Sequence, residues 1–316
     1  MPSLPLEQAL FHRPDGDAPR LVARSSGFAD ACLADAERLV LGFGERTNGR
    51  RCPPAVFAMP IAPKHVAVVR VMDDCDASGL RFHFLVFEQV IYEGYIRDPF
   101  MLAEKVEATW EHSPLAPGGR GVGGEGVLPT LMLAPDTFSP RKLAQVQAVL
   151  KRVKASALAE GEDPASPDFS RTIENSESPA LLGGAQILVD GGRLVFQRST
   201  GDLPLVSGLW LLLPEMTRCR LWPTTFAFSA ELEFDVLVVP HVDDELLEHY
   251  TTEDQAADYP EGAYELALQR AVENDNQEDL DIVFSKRDGR QTLRLALIIL
   301  VLVSGLVIAI RWLTSS

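Results

Sequence analysis

The sequence lacks the short motifs that mark nucleotide-binding and hydrolase sites. No Gly-Lys dipeptide occurs in its 316 residues, which excludes a phosphate-binding P-loop. A G-x-S-x-G nucleophile elbow and an H-E-x-x-H zinc motif are also absent. Residues 119–124 fit G-x-G-x-x-G, but the proline-containing stretch before them cannot form the strand that a dinucleotide site needs. The sequence therefore predicts no cofactor.

Cysteine is scarce and scattered. Cys32, Cys52, Cys75 and Cys219 show no C-x-x-C spacing, so neither a zinc site nor a disulfide framework is indicated. We expect reduced, buried thiols. No continuous apolar stretch follows the first residues, so no cleaved signal peptide is predicted, and we expect the folded region to be cytoplasmic.

Basic residues are too few to balance the acidic ones. The formal net charge is −16, which argues against nucleic acid as the main partner. Residues 231–283 contain seventeen acidic residues and one basic residue, so this segment carries the whole excess. Three interpretations are open: a solvated face, a docking surface for a basic protein partner, or a store of cations. The docking candidates are Glu261, Glu265, Glu273, Asp275, Glu278 and Asp279.

Long apolar runs are also scarce, with one exception near the last residues. Sixteen consecutive residues from Leu295 to Ile310 carry no charge and would extend about 24 Å as a helix. Arg294, Arg311 and Trp312 flank this run and suit a membrane interface. We therefore expect a single transmembrane helix over residues 293–313. The excess of basic residues before it predicts an inner (plasma) membrane protein with a cytoplasmic N-terminal region and a short tail outside.

The rest of the chain has the strand and helix patterns of a mixed α/β (α+β) fold. Residues 1–111 alternate strand and helix patterns, and residues 139–240 repeat this character in a second α/β unit. Between them, residues 112–138 form a Gly/Pro-rich linker or loop. The pattern of residues 241–285 predicts an acidic helical segment. We therefore expect a cytosolic region of one or two subdomains followed by the transmembrane helix.

Alternation and helical periodicity also predict the individual elements. Strands are expected at 6–12, 20–26, 55–60, 65–72, 80–91, 185–189, 193–197, 224–229 and 232–239. Helices are expected at 30–41, 99–110, 203–213, after Ser139 and after Asp243. The Asp-Gly-Gly sequence at 190–192 predicts that the strands on either side of it form a β-hairpin.

One group of side chains has the composition of a metal site. His241, Asp243, Asp244 and His249 lie close together in sequence, and imidazole and carboxylate groups at helical spacing can bind a divalent ion. The alternative is an acid-rich helix start in which Asp243 is the N-cap. We favour the helix start and predict no metal.

Several short motifs in the first 240 residues occur together. They are LVARSSGF at 21–28, GFGER at 42–46, DPF at 98–100, LLLP at 211–214 and WPTTF at 222–226, with the strand patterns at 54–59, 65–72 and 82–87. In these motifs the chain resembles the N-terminal domain of bacterial GTPase-associated proteins from multi-gene conflict systems. The resemblance covers about residues 5–240. It implies an adaptor or regulatory role beside a GTPase, and it assigns no catalytic residue.

These observations together predict a membrane-tethered interaction or adaptor protein with a basic protein partner, and the resemblance implies that this partner is a GTPase. The alternative is a membrane-anchored enzyme with an unrecognised active site. The candidate locations for such a site are residues 88–97 and residues 241–249. Enzymatic activity is therefore left open.

Overall fold

The computed structural model describes residues 3–46, 51–74, 78–111, 126–134, 141–159 and 180–285. These residues form a mixed α/β fold with a seven-stranded sheet and a three-stranded sheet. The two α/β units that the sequence predicts contribute to one shared hydrophobic core.

The large sheet contains strands from the first 134 residues. They are β1 (Leu4–Pro14), β2 (Arg20–Ser25), β3 (Ala55–Pro60), β4 (His65–Asp73), β5 (Gly79–Glu88), β6 (Gly126–Leu128) and β7 (Leu131–Leu133). The strand order is β3-β4-β5-β1-β2-β6, and β7 pairs with the first residues of β1. All pairs are antiparallel except β2 with β6. Two of these strands, β6 and β7, lie within the predicted linker.

Strand β5 lies at the centre of the large sheet because both of its faces are apolar. Phe82 and Phe84 are fully buried on one face, and Leu85 is fully buried on the other. Phe84 pairs with Val69 of β4 and with Ala9 of β1. The predicted central position of this strand is confirmed, and full burial of each such side chain contributes about 1.5–3 kcal/mol.

The helices cover both faces of the large sheet and surround the small one. They are α1 (Leu33–Gly42), α2 (Pro99–Glu111), α3 (Leu143–Ala159), α4 (Leu181–Asp190), α5 (Leu203–Leu212), α6 (Glu215–Arg218), α7 (Asp244–His249), α8 (Glu253–Ala257), α9 (Ala263–Glu273) and α10 (Gln277–Ser285). The small sheet is parallel, in the order β10 (Thr251–Thr252), β8 (Leu194–Gln197) and β9 (Val236–Val239).

Residues 223–227 connect the two sheets through backbone hydrogen bonds. On one side, Ala58 of β3 donates its N–H to the carbonyl of Pro223 at 3.1 Å. On the other side, Ala227 donates its N–H to the carbonyl of Val238 in β9 at 2.8 Å. The sequence predicts a strand here, and the structure has an extended segment with isolated bridges to both sheets.

The predicted β-hairpin at 185–197 is wrong in its first half. Residues 185–189 belong to helix α4, and only β8 is a strand. The run is apolar except for Gln186, and a short, mostly apolar run fits a buried strand and a buried helix equally well. Gly183 allows the helix to pack closely on α8, because a Cβ atom added there would lie 2.0 Å from the carbonyl oxygen of Ala256.

The predicted transmembrane helix is also corrected. No helix in the described part of the chain is long and apolar enough to cross a membrane. The uncharged run from Leu295 to Ile310, with Arg294, Arg311 and Trp312, lies outside the described residues. We therefore withdraw the predicted fold class with a membrane helix, the single-pass anchor and the inner-membrane location.

Candidate functional site

The acidic helical segment, residues 241–285, contains the short helices α7 to α10. Its polar residues determine where two of these helices begin. The side chain of Asp243 accepts a hydrogen bond from the backbone N–H of Leu246 at 3.0 Å, which caps α7. Thr252 caps α8 in a capping box with Gln255. These caps explain why a segment with so many like charges is helical.

The residues considered as metal ligands lie on the surface around α7. His241, Asp243, Asp244 and His249 are all exposed, and the Asp243 carboxylate is used as the helix cap. Among the described residues, no three His, Cys, Asp or Glu side chains lie close enough to hold a metal ion. The arrangement is that of a solvated helix start.

Most carboxylates of this segment are exposed and make no salt bridge with a basic side chain of the described residues. Glu233 and Asp235 lie beside Arg193, and Glu253 pairs with Arg198. Several exposed acids make no salt bridge with any basic side chain in the described ranges, and we name six of them, all between the end of β9 and the start of α9, the acidic surface. They are Asp244, Glu245, Glu248, Asp254, Asp258 and Glu261.

The predicted docking residues occupy different environments. Glu261, Glu273, Asp275 and Glu278 are exposed. Asp279 is half-buried and accepts a hydrogen bond from the side-chain amide of Asn276 at 3.0 Å.

Glu265 differs from the other docking candidates because it is buried. Only 7% of this residue is exposed, and Gln269 donates to its Oε1 atom at 3.1 Å. Burial, with a smaller contribution from Glu261, raises the pKa of the Glu265 carboxyl group. This side chain is therefore part of the packing of α9 and cannot contact a partner.

A groove lies between α3 and α9, and α9 belongs to the acidic segment. Its volume is about 200 Å³. Leu150, Leu182 and Val272 line it with apolar surface, although they lie far apart in the sequence. Sequence reasoning missed this groove because it forms only when three separate helices pack together.

A second unusual region begins where β5 ends, three residues before the predicted end of that strand. After one helical turn, residues Tyr92–Ile96 form a π-helical turn, and Arg97 has a φ of 51°. Tyr92 is fully buried and stacks between Phe87 and Trp222, with ring centroids 6.1 Å away on each side. Such turns and left-handed residues often occur at functional sites.

A buried ion pair lies beneath this turn. Arg218 of α6 donates from Nη2 to Oδ2 of Asp98 at 2.5 Å, and both residues are buried. Oδ1 of Asp98 also accepts hydrogen bonds from the backbone N–H groups of Phe100 and Met101, which caps α2. One carboxylate therefore joins the start of α2 to α6.

A second buried arginine lies close to the first. Arg141 donates from Nη1 to the carbonyl oxygens of Leu211 and Leu213 at 2.9 and 2.5 Å, which satisfies the end of α5. Its guanidinium lies 3.5 Å from the ring centroid of Phe284. Burial first, and Arg218 second, lower the pKa of Arg141 to about 9. The DPF and LLLP motifs thus meet around two buried arginines.

This arrangement is a structural connection between helices rather than a reactive centre. The nearby Cys219 Sγ lies 3.9 Å from the carbonyl oxygen of Glu93, and burial raises the pKa of its thiol, which disfavours the nucleophilic thiolate. The strained turn at 88–97 presents Val90 and Tyr95 to solvent. Its geometry supports binding better than it supports catalysis.

Sequence reasoning also missed a buried histidine in the large sheet. His83 of β5 lies with its Nε2 atom 2.8 Å from Oε1 of Gln8, which is buried in β1. Burial, with a smaller contribution from Arg70, lowers the pKa of His83 to about 4. The ring is therefore neutral near pH 7. The mixed polar and apolar pattern of β5 was the only signal for it.

Comparison with known proteins gives no relative from which a role can be transferred. No protein-family model matches the chain, and the search among curated proteins finds no match. The resemblance to GTPase-associated proteins therefore rests on the short motifs alone.

Proposed function

We propose that this chain is an interaction or adaptor protein that binds a basic protein partner through its acidic surface. The observation that carries the proposal is the acidic surface, six exposed carboxylates that make no salt bridge with any basic side chain among the described residues. Like charges on one short stretch of chain repel each other and destabilise the fold. A basic partner would neutralise part of this charge. Binding is therefore favoured by the loss of the repulsion that is present in the isolated protein.

The same charges also affect how fast the partner associates. Exposed carboxylates act over roughly 8 Å at physiological ionic strength, so they attract a basic protein before contact is made. The association rate should therefore be high at low salt and fall as salt is added. Specificity then requires further contacts that do not depend on charge alone.

The resemblance to GTPase-associated proteins supports a GTPase as the partner. Of the motifs that carry it, DPF at 98–100 contacts the buried Arg218, and LLLP at 211–214 contacts the buried Arg141 close by. Because the two motifs lie close together in the fold, they are consistent with parts of one domain. A GTPase with a basic surface would satisfy both the resemblance and the charge of this chain.

The test is a comparison of captured partners between two variants that lose the same number of charges. In the first, Asp244, Glu245, Glu248 and Glu261 are changed to their amides. In the second, the exposed acids Asp17, Glu37, Glu88 and Glu104, which lie outside the acidic segment, are changed in the same way. The full chain and both variants serve as bait in extracts of the source cells, and mass spectrometry identifies the captured proteins.

We expect the unmodified chain and the second variant to retain the same basic partner, and the first variant to lose it. A nucleotide-binding assay on the captured protein then tests whether it is a GTPase. Equal capture by all three baits would show that the acidic surface is only a solvated face.

A further inference from the structure

Three buried hydrogen-bond donors in and around α6 contact no acceptor among the described residues. They are the hydroxyl group of Tyr92, Nε of Arg218 and Nη2 of Arg141. The exposed fractions of these residues are 0, 5 and 9% respectively. A buried donor without an acceptor is unfavourable, because it has lost its hydrogen bonds to water. A ligand that accepts hydrogen bonds in this region would therefore stabilise the fold.

The three donors lie in one region of the fold. Arg141 donates to the carbonyl oxygen of Leu213 at 2.5 Å. The next residue, Pro214, accepts from the backbone N–H of Arg218 at 3.0 Å. The two guanidinium groups are close enough that, after burial itself, Arg218 is the main cause of the lowered pKa of Arg141. Burial raises the pKa of Tyr92, and Arg218 is again the next influence, so the phenol keeps its proton and can donate.

The charges of this region do not balance among the described residues. Asp98 is the carboxylate that pairs with Arg218, and it also accepts two backbone hydrogen bonds. Arg141 makes no salt bridge with a carboxylate in the described ranges. Carbonyl oxygens and the ring of Phe284 contact its guanidinium instead. Since a buried cation without a counter-charge is unfavourable, a bound anion would stabilise this region.

An anion matches these donors better than a water molecule does. Guanidinium N–H groups can only donate, and an anion can accept from several of them at once. A water molecule would bring two hydrogens of its own, which need acceptors. The burial of all three residues favours a small ion, and chloride needs little more space than one water molecule.

We propose that a chloride ion binds between Arg141, Arg218 and the hydroxyl group of Tyr92 as a structural ligand. The ion supplies the counter-charge for the second guanidinium group and accepts hydrogen bonds from the three donors. It thereby joins the end of α5 to α6 and to the π-helical turn at Tyr92–Ile96. The site is separate from the acidic surface, so its test is independent of the proposed function.

Thermal unfolding of the full chain at constant ionic strength tests the chloride site. Sodium chloride replaces sodium gluconate stepwise up to about 200 mM, so that screening is unchanged and the large gluconate ion is the reference that a buried site excludes. A ligand that binds only the folded state raises the unfolding midpoint. We expect a rise of about 3–6 °C, as for chloride at roughly 10–20 times its Kd.

Substitutions of the donors locate the binding. Arg141→Met removes one guanidinium group and keeps an unbranched side chain, and its midpoint should not respond to chloride. Tyr92→Phe removes one hydroxyl group and should weaken chloride binding about ten-fold, because a hydrogen bond to an ion is lost. Arg97→Met is the matched control, since Arg97 is partly exposed and pairs with Glu215. Its midpoint should rise with chloride as in the unmodified protein.

Each outcome decides for or against the site. Equal midpoints in chloride and gluconate for the unmodified protein would overturn it, because the donors would then not bind chloride. A rise that is undiminished in Arg141→Met and Tyr92→Phe would also overturn it, since the ion would bind elsewhere. If Arg141→Met does not fold, Tyr92→Phe decides alone: a smaller rise supports the site, and the full rise contradicts it.

Discussion

At the scale of single residues, a buried histidine makes the stability of the fold depend on pH. His83 has a pKa of about 4 in the folded protein, whereas its ordinary value is 6.5. As the pH falls below 6.5, the unfolded chain therefore takes up a proton that the folded protein resists. The stability that the neutral ring contributes is complete above pH 6.5 and is lost as the pH falls towards 4, by roughly 3 kcal/mol at most.

We expect His83→Gln to lose less stability over this range than the unmodified protein. Urea unfolding at pH 7.5, 6 and 5 measures the difference. His249→Gln, at an exposed position, is the matched control and should follow the unmodified protein. Parallel pH dependence in all three proteins would contradict the assignment of a buried, neutral His83.

The Asp98–Arg218 pair provides a second prediction at this scale. Asp98→Asn keeps a side chain that can cap α2 but removes the charge that balances Arg218. Because this leaves a buried guanidinium without its counter-charge, the free energy of unfolding should fall by about 3–5 kcal/mol.

The control for the buried pair is an exposed one. Glu215→Gln removes the carboxylate that pairs with Arg97, where both side chains are partly exposed. Its effect should be at most about 1 kcal/mol. Denaturant unfolding measures the loss in the free energy of unfolding for both variants. A similar small loss in each would mean that Asp98 and Arg218 are more solvated than the structure indicates.

At the scale of secondary-structure elements, the strands of the large sheet were largely predictable, whereas one similar run proved to be helical. The predicted strands at 55–60 and 65–72 match β3 and β4 closely, because both are short, mostly apolar runs with β-branched residues. The same pattern in residues 185–189, which are apolar except for Gln186, belongs instead to helix α4. Its long-range packing on α8, which depends on Gly183, has no local signal in the sequence.

The packing of α4 leads to a prediction of its own. Gly183→Ala places a Cβ atom against the backbone of Ala256, and a backbone atom cannot move aside as a flexible side chain can. The thermal midpoint and the free energy of unfolding should both fall, the latter by about 1–3 kcal/mol. Gly94→Ala, where a Cβ atom meets nothing within 4 Å, should have little effect. Equal midpoints for the two variants would refute the close approach of α4 and α8.

At the scale of the whole molecule, the position of the excess charge was predictable, but the burial of one of the acids was not. Counting acids locates the excess in residues 231–283, and most of these side chains are exposed in the structure. Glu265 alone among them is buried, because it packs beside Gln186 and Gln269 on the inner side of α9. The groove was not predictable, since α3, α4 and α9 are separated in sequence and meet only in the folded chain.

The affinity of the captured partner as a function of salt tests the central claim most directly. Titration calorimetry between about 50 and 300 mM salt gives the slope of log Kd against log salt concentration for the full chain and for both four-amide variants. The proposal predicts a steep slope for the full chain and for the variant outside the acidic segment, and a weaker affinity with a shallower slope for the variant of the acidic surface. The same affinity and the same slope for all three proteins would contradict it.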